Sequence, residues 1–265
     1  MKAKMYEDEE LLSSLLENFH CTACALSKFT KQVLKTTKRR VQEPLGRMYS
    51  DLSEKQVVKT KDDAQYYITL IDEKTRYVWI KLLKLKSEAS QALESMIREV
   101  ERQTRRKLKI LRTDNAGEYI AIDVFLDHEG VVHERSPAYS HESNGLPERL
   151  NRTLGNMVRG MLTSSGLSLS MWGEAVHAAV YVKNRLPHRA VKTTSYEELH
   201  NEKSFIKHLQ PFRQKCYVHV LSEQRKAGTK LLPRVKKGRL VKYVSSTDKI
   251  YRIYFPLENR IVESR

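Results

Sequence analysis

Two short segments hold the residues whose types and spacing can do chemistry. The first, R-T-D-N-A-G-E-Y over 112–119, contains Asp114 and Asn115. The second, S-H-E-S-N-G-L-P-E-R-L-N-R over 140–152, contains Asn144, Glu148 and Arg152. An apolar run of Leu108, Ile110 and Leu111 precedes the first segment, so Asp114 is expected at the exit of a strand. In the second, Asn144 and Gly145 supply a turn and Pro147 suits the first turn of a helix. Leu146, Leu150, Leu154, Met157 and Met161 then recur at helical spacing and leave Glu148 off the apolar stripe. A strand-end Asp and a helix-start Glu can converge on one point. In a chain of formal charge +16, converging carboxylates suggest divalent cations acting on a phosphodiester. Hard cations take carboxylate oxygens, and a metal pair stabilises both the attacking and the leaving oxygen of an in-line displacement.

A third carboxylate is expected from Asp51. Its rival, Asp72, falls in a hairpin turn at the wrong end of its strand, and Asp62 and Asp63 read as loop residues. In this arrangement Asp51 bridges two Mg²⁺ or Mn²⁺ ions, with Asp114 completing one site and Glu148 the other. Arg152 and Arg159, further along the Glu148 face, are placed to hold phosphates, and Asn144 and Asn115 to orient carboxylates or bases. Each feature has an ordinary reading when taken singly. Glu148 and Arg152 make an i, i+4 surface pair worth about 0.3–0.5 kcal/mol, and Asp-Asn is a common turn. What favours the chemical reading is the set together, with the order of elements agreeing.

Those elements begin near Pro44. Leu45–Leu52, Tyr66–Ile71 and Tyr77–Leu83 read as a three-stranded meander, and Ser87–Thr104 as an amphipathic helix. Lys107–Arg112 is a fourth strand, Ile120–His128 a short helix and Val131–Glu134 a fifth strand. The Glu148 helix runs to about Ser164, and a further helical run from Ser168 stops at Pro187. This order is the ribonuclease-H-like pattern, an α/β fold with a mixed five-stranded sheet and flanking helices. That fold places acids on its first strand, just after its fourth and on a later helix, where Asp51, Asp114 and Glu148 stand. Lys215–Leu221, Gly238–Val244, Tyr251–Phe255 and Arg260–Val262 alternate as short strands, which suggests a small β-barrel. Lys230, Arg234, Lys236, Lys237, Arg239 and Lys242 offer it a phosphate-backbone contact. The expected division is an N-terminal segment over 1–43, a catalytic core over 44–187, a linker over 188–209 and the barrel over 210–265.

Composition sets the bounds. The 265 residues, 40% of them apolar, suffice for one large domain and one or two small ones. A pI near 9.7 points to an anionic partner, most simply nucleic acid. Three cysteines do not make a disulfide framework, which fits a reducing, intracellular setting. Cys21 and Cys24, spaced C-x-x-C, are half of a zinc site, and reduced thiols in a tail are the simpler reading. The basic run Lys35–Arg40 suits a DNA contact, a nuclear address or a solvated linker. Neither a membrane span nor a signal peptide is expected.

At R-T-D-N-A-G-E-Y, S-N-G-L-P-E-R-L-N-R-T-L and M-W-G-E-A-V-H-A-A-V-Y-V-K-N-R-L-P the chain resembles the integrase of copia-type LTR retrotransposons. C-T-A-C-A-L-S-K is similar to the end of that family's His-His-Cys-Cys finger, and K-L-L-P-R-V-K-K-G onward to its C-terminal barrel. The resemblance implies a metal-dependent integrase whose Asp-Asp-Glu triad falls on Asp51, Asp114 and Glu148. It also implies work as a homo-multimer on element and target DNA in the nucleus, after a cytoplasmic phase, and Zn²⁺ if the finger is completed. Three features depart from the family pattern. The finger's His pair is missing, the spacing from Asp114 to Glu148 is slightly short, and S-E-K follows Leu52. Two other classes therefore stay open: a decayed or truncated copy that only binds DNA, and a plain metal-dependent nuclease.

Overall fold

The computed structural model describes residues 41–136, 145–220, 234–244 and 249–265. They fall within one compact unit, Arg40–Arg265. Its first half is a five-stranded sheet of β1 (Met48–Leu52), β2 (Tyr66–Asp72), β3 (Val78–Leu83), β4 (Ile110–Thr113) and β5 (Val132–Arg135). The strand order is β3-β2-β1-β4-β5. Strands β1 to β3 are antiparallel, whereas β4 is parallel to β1 and β5 parallel to β4. The mixed sheet with a leading meander is the one the sequence predicts.

Side chains alternate across a strand, so each strand feeds two cores. On one face Met48, Ile68, Leu70 and Leu111 pack under α1 (Ala89–Thr104) and α2 (Asp123–Glu129). Helix α1 buries Ala89, Ala92, Leu93, Met96, Ile97 and Val100, the stripe its sequence spells out. On the other face Tyr49, Tyr67 and Ile71 pack under α3 (Gly145–Ser165) and α4 (Trp172–Arg185).

The W-G-E-A … N-R-L-P block is architectural. Trp172 donates its indole N–H to the Val58 carbonyl at 2.7 Å. A Cβ on Gly173 would stand 2.7 Å from Thr60 Cγ2 and 2.8 Å from Leu82 Cδ1, so a larger residue would have to push these side chains aside for α4 to lie this close to the sheet. Asn184 accepts from the Val78 N–H at 3.0 Å and donates to the Val78 carbonyl at 2.8 Å. Arg185 lies between the rings of Tyr181 and Tyr196, 3.6 and 4.6 Å from their centres.

The stretch expected as a plain connector contains a helix, α5 (Ser195–His200). Thr194 and Glu197 form a capping box at its start, and Leu199 joins the core under α1. T-x-x-E at 194–197 was the available signal.

The second sheet is antiparallel, β6 (Lys215–His219), β7 (Val235–Tyr243), β8 (Tyr251–Phe255) and β9 (Arg260–Ser264), in that order. It is seated on α4: Val241 joins the core of α3 and α4, and Leu240 and Tyr243 pack on Ala178 and Tyr181. One expectation needs correcting. Lys242, expected among the phosphate contacts, faces inward at this seam, where burial pushes its ammonium pKa down although Glu174 pulls it back up. Strand alternation does not carry through to Lys242, because the pairing of β7 with β8 shifts register between Leu240 and Lys242.

Candidate active site

Three elements bring the predicted acids to one edge of the first sheet. Asp51 is the fourth residue of β1, Asp114 follows β4 directly, and Glu148 stands in the first turn of α3. Because β4 runs parallel to β1, both strands deliver their aspartates at the same end. Glu148 is exposed, while Asp51 and Asp114 are half-buried.

Asp51 feels the charges of both other acids. Burial, then the charge of Asp114, then that of Glu148, push the Asp51 pKa up to about 7. Burial also raises Asp114, against a hydrogen bond of 3.3 Å from the Ala116 N–H to its Oδ1, with Glu118 adding to the rise. Tyr67 and the fully buried Tyr119 form an apolar backing: desolvation first and the Asp51 charge second push the Tyr67 phenol up to about 12 and Tyr119 well above its usual range. Like charges held in a weakly polarisable pocket repel, and a bound cation relieves that repulsion.

One participant was missed in the sequence. Asn151 donates its side-chain amide to Asp51 Oδ2, which counteracts the rise in the Asp51 pKa. Its own Oδ1 is buried with no hydrogen-bond partner. Asn151 lies three residues after Glu148, on the same helix face, and that spacing was the signal.

The donor set is all oxygen, as Mg²⁺ or Mn²⁺ requires. Among the described residues, however, no group of three or more His, Cys, Asp or Glu side chains is close enough together to hold a metal ion. The acids therefore converge electrostatically without forming a closed cage.

The other predicted residues are more scattered. Arg152 and Arg159 are exposed on α3, with the Arg159 guanidinium 3.1 Å from Asn156 Oδ1. Lys236 and Lys237 are exposed on β7, Arg239 is half-buried, and Lys236 pairs with Glu258 at 2.7 Å. Asp72 is fully buried and structural: it accepts from the Leu45 N–H at 2.8 Å and from the Thr75 N–H and hydroxyl at 2.7 Å each. Asn144, Cys21 and Cys24 lie outside the described residues.

The four-stranded antiparallel sheet fits an SH3-like domain. Residues 214–265 match the retroviral polymerase SH3-like domain. The chain is 32% identical over 92% of its length to the Retrovirus-related Pol polyprotein from transposon TNT 1-94 of Nicotiana tabacum, covering 18% of that protein. It is 29% identical over 74% of its length to the corresponding polyprotein from transposon RE2 of Arabidopsis thaliana, covering 14% of it. The chain thus spans less than a fifth of these relatives and matches the integrase region of a copia-type retrotransposon polyprotein. Among solved structures, a chain of the simian T-cell lymphotropic virus intasome in complex with PP2A regulatory subunit B56 gamma shares the fold. Its TM-score is 0.57 at 16% identity, covering 99% of this chain and 95% of that one.

Proposed function

We propose that this chain is a retrotransposon integrase that joins element DNA ends to target DNA by metal-dependent phosphodiester transfer. The observation that carries the reading is the placement of Asp51, a half-buried acid that feels both Asp114 and Glu148. Asp51, Asp114 and Glu148 would hold Mg²⁺ or Mn²⁺. When bound, the ions supply charge stabilisation at the attacking and leaving oxygens. Asn151 orients the Asp51 carboxylate through its amide. The backing of Tyr67 and Tyr119 limits water on that side, which strengthens every charge interaction in the site. Arg152 and Arg159 would take DNA phosphates alongside α3, and Lys236, Lys237 and Arg239 would track the backbone from β7, as non-specific phosphate contacts do. No side chain has to act as a nucleophile, because the DNA 3′-hydroxyl attacks.

In this reading residues 44–187 form the catalytic core, 188–209 the linker and 210–265 a DNA-binding module, with 1–43 preceding them. The protein would work as a homo-multimer on element and target DNA, in the nucleus.

The test is strand transfer of a labelled DNA end into plasmid with Mg²⁺ or Mn²⁺, comparing the wild type with Glu148→Gln. Joined product from the wild type alone is the expected result. Free ends without joining would make the protein a nuclease. DNA binding without product, from folded and multimeric protein, would leave a DNA-binding remnant and sink the reading.

A further inference from the structure

Behind Asp114, on the α1 and α2 face of the sheet, three side chains are joined in series. The Thr113 hydroxyl lies 3.0 Å from His133 Nε2, and His133 Nδ1 lies 2.6 Å from Asp123 Oδ1. The second oxygen of Asp123 takes the Arg135 guanidinium. These groups come from β4, β5 and the first residue of α2.

A hydroxyl, an imidazole and a carboxylate in this order resemble an activated nucleophile. Two observations rule that out. Thr113 is fully buried, and its hydroxyl donates to the Asp114 main-chain carbonyl at 2.7 Å. Thr113 has a single hydroxyl proton, so towards His133 its oxygen is an acceptor and Nε2 is the donor. Asp123 is ionised: although partial burial works the other way, the His133 and Arg135 hydrogen bonds hold its pKa below the usual carboxylate range. It therefore accepts from Nδ1. The ring of His133 is thus held from both sides, its Nδ1 donating to the Asp123 carboxylate and its Nε2 to the buried Thr113 hydroxyl.

We infer that His133 is a positioning residue for Asp114, fixing through Thr113 the main chain that aims this carboxylate at the cation. Asp123 and Arg135 set the ring, and the ring sets Thr113. Thr113 then holds the carbonyl of the residue whose Oδ1 accepts from the Ala116 N–H. Every link is internal to the fold, so the turn after β4 keeps its shape without substrate. The inference rests on the metal-dependent reading above.

The test uses two amides that divide the imidazole between them. Glutamine at 133 places its N–H₂ near the Nε2 position and keeps the donor to Thr113; asparagine places it near Nδ1 and keeps only the Asp123 contact. Mn²⁺ affinity of the full chain is measured from the electron paramagnetic resonance of free Mn²⁺, together with hydrogen exchange of the Ala116 amide. In His133→Asn and in Thr113→Val, Mn²⁺ binding is expected to weaken about tenfold, as for other outer-shell partners of metal ligands. Ala116 exchange should accelerate in the same two variants. His133→Gln should stay near wild type in both readouts. A ring that only fills space would make Asn and Gln behave alike, and equal loss or no loss in the two overturns the inference. If wild-type protein binds no Mn²⁺, the metal-dependent reading falls, and Ala116 exchange still decides whether His133 positions the turn.

Discussion

The carboxylate edge and the α4 seam are built from the same kinds of residue and are opposite in energetic character. At the edge, burial and the charges of Asp114 and Glu148 act together against an ionised Asp51, and burial also opposes the charge of Asp114. At the seam, Asn184 satisfies both main-chain groups of Val78, Trp172 reaches Val58, and Glu174 holds Arg252 of β8 at 2.9 Å. Repulsion that persists in a folded protein marks a place whose stability is completed by something bound; paired polar groups mark a place that holds the fold. Residues of the two regions should therefore respond to substitution in opposite ways.

The largest expected effect is at Asp51. Asp51→Asn should reduce strand transfer to background while raising the stability of metal-free protein by about 1–3 kcal/mol, because the raised pKa reports a charge the fold tolerates at a cost. Strand transfer and urea unfolding on one preparation check both halves, and a variant that loses activity and stability together would erase the contrast. Asn184→Leu should do the reverse. It strands two main-chain groups on Val78 and is expected to cost about 2–4 kcal/mol, with strand-transfer rate per folded molecule kept.

A smaller effect concerns pH. Burial, then the charges of Lys242 and Arg252, push the His177 pKa down to about 3. Its folded-state value lies below the unfolded one, so the unfolded chain takes up a proton first. The stability that neutral His177 contributes is present above about pH 6.5 and is lost as pH falls toward about 3. Unfolding free energies at about pH 7 and pH 5 should differ by about 2 kcal/mol more in the wild type than in His177→Leu. The smallest effect belongs to the second sheet. Lys237→Ala with Arg239→Ala should lower the slope of log affinity for DNA against log salt by about two and leave metal binding unchanged.

How much of this was legible depended on whether the signal was local. The five strands and long helices declared themselves through periodicity, Asp114 and Glu148 through their places at a strand exit and a helix start, and Asp51 only by preference over Asp72, which reads as part of the hairpin turn. Lys242 was misread because α4, with Glu174 that attracts its ammonium, lies far away in the chain. His133 and Asp123 gave no warning, since only the parallel pairing of β4 with β5 and the return of α2 bring them to Thr113. Helix α5 was readable from T-x-x-E but was too short to show a period.

Asn184 has one more consequence. Strand β3 lies at the border of its sheet, and the outward N–H and carbonyl of Val78 would otherwise offer a template to any extended chain nearby. The Asn184 amide occupies that template as a peptide group would, so α4 works as a false neighbouring strand. In a protein expected to gather in several copies on one DNA, this blocks the simplest unwanted association, sheet to sheet through β3.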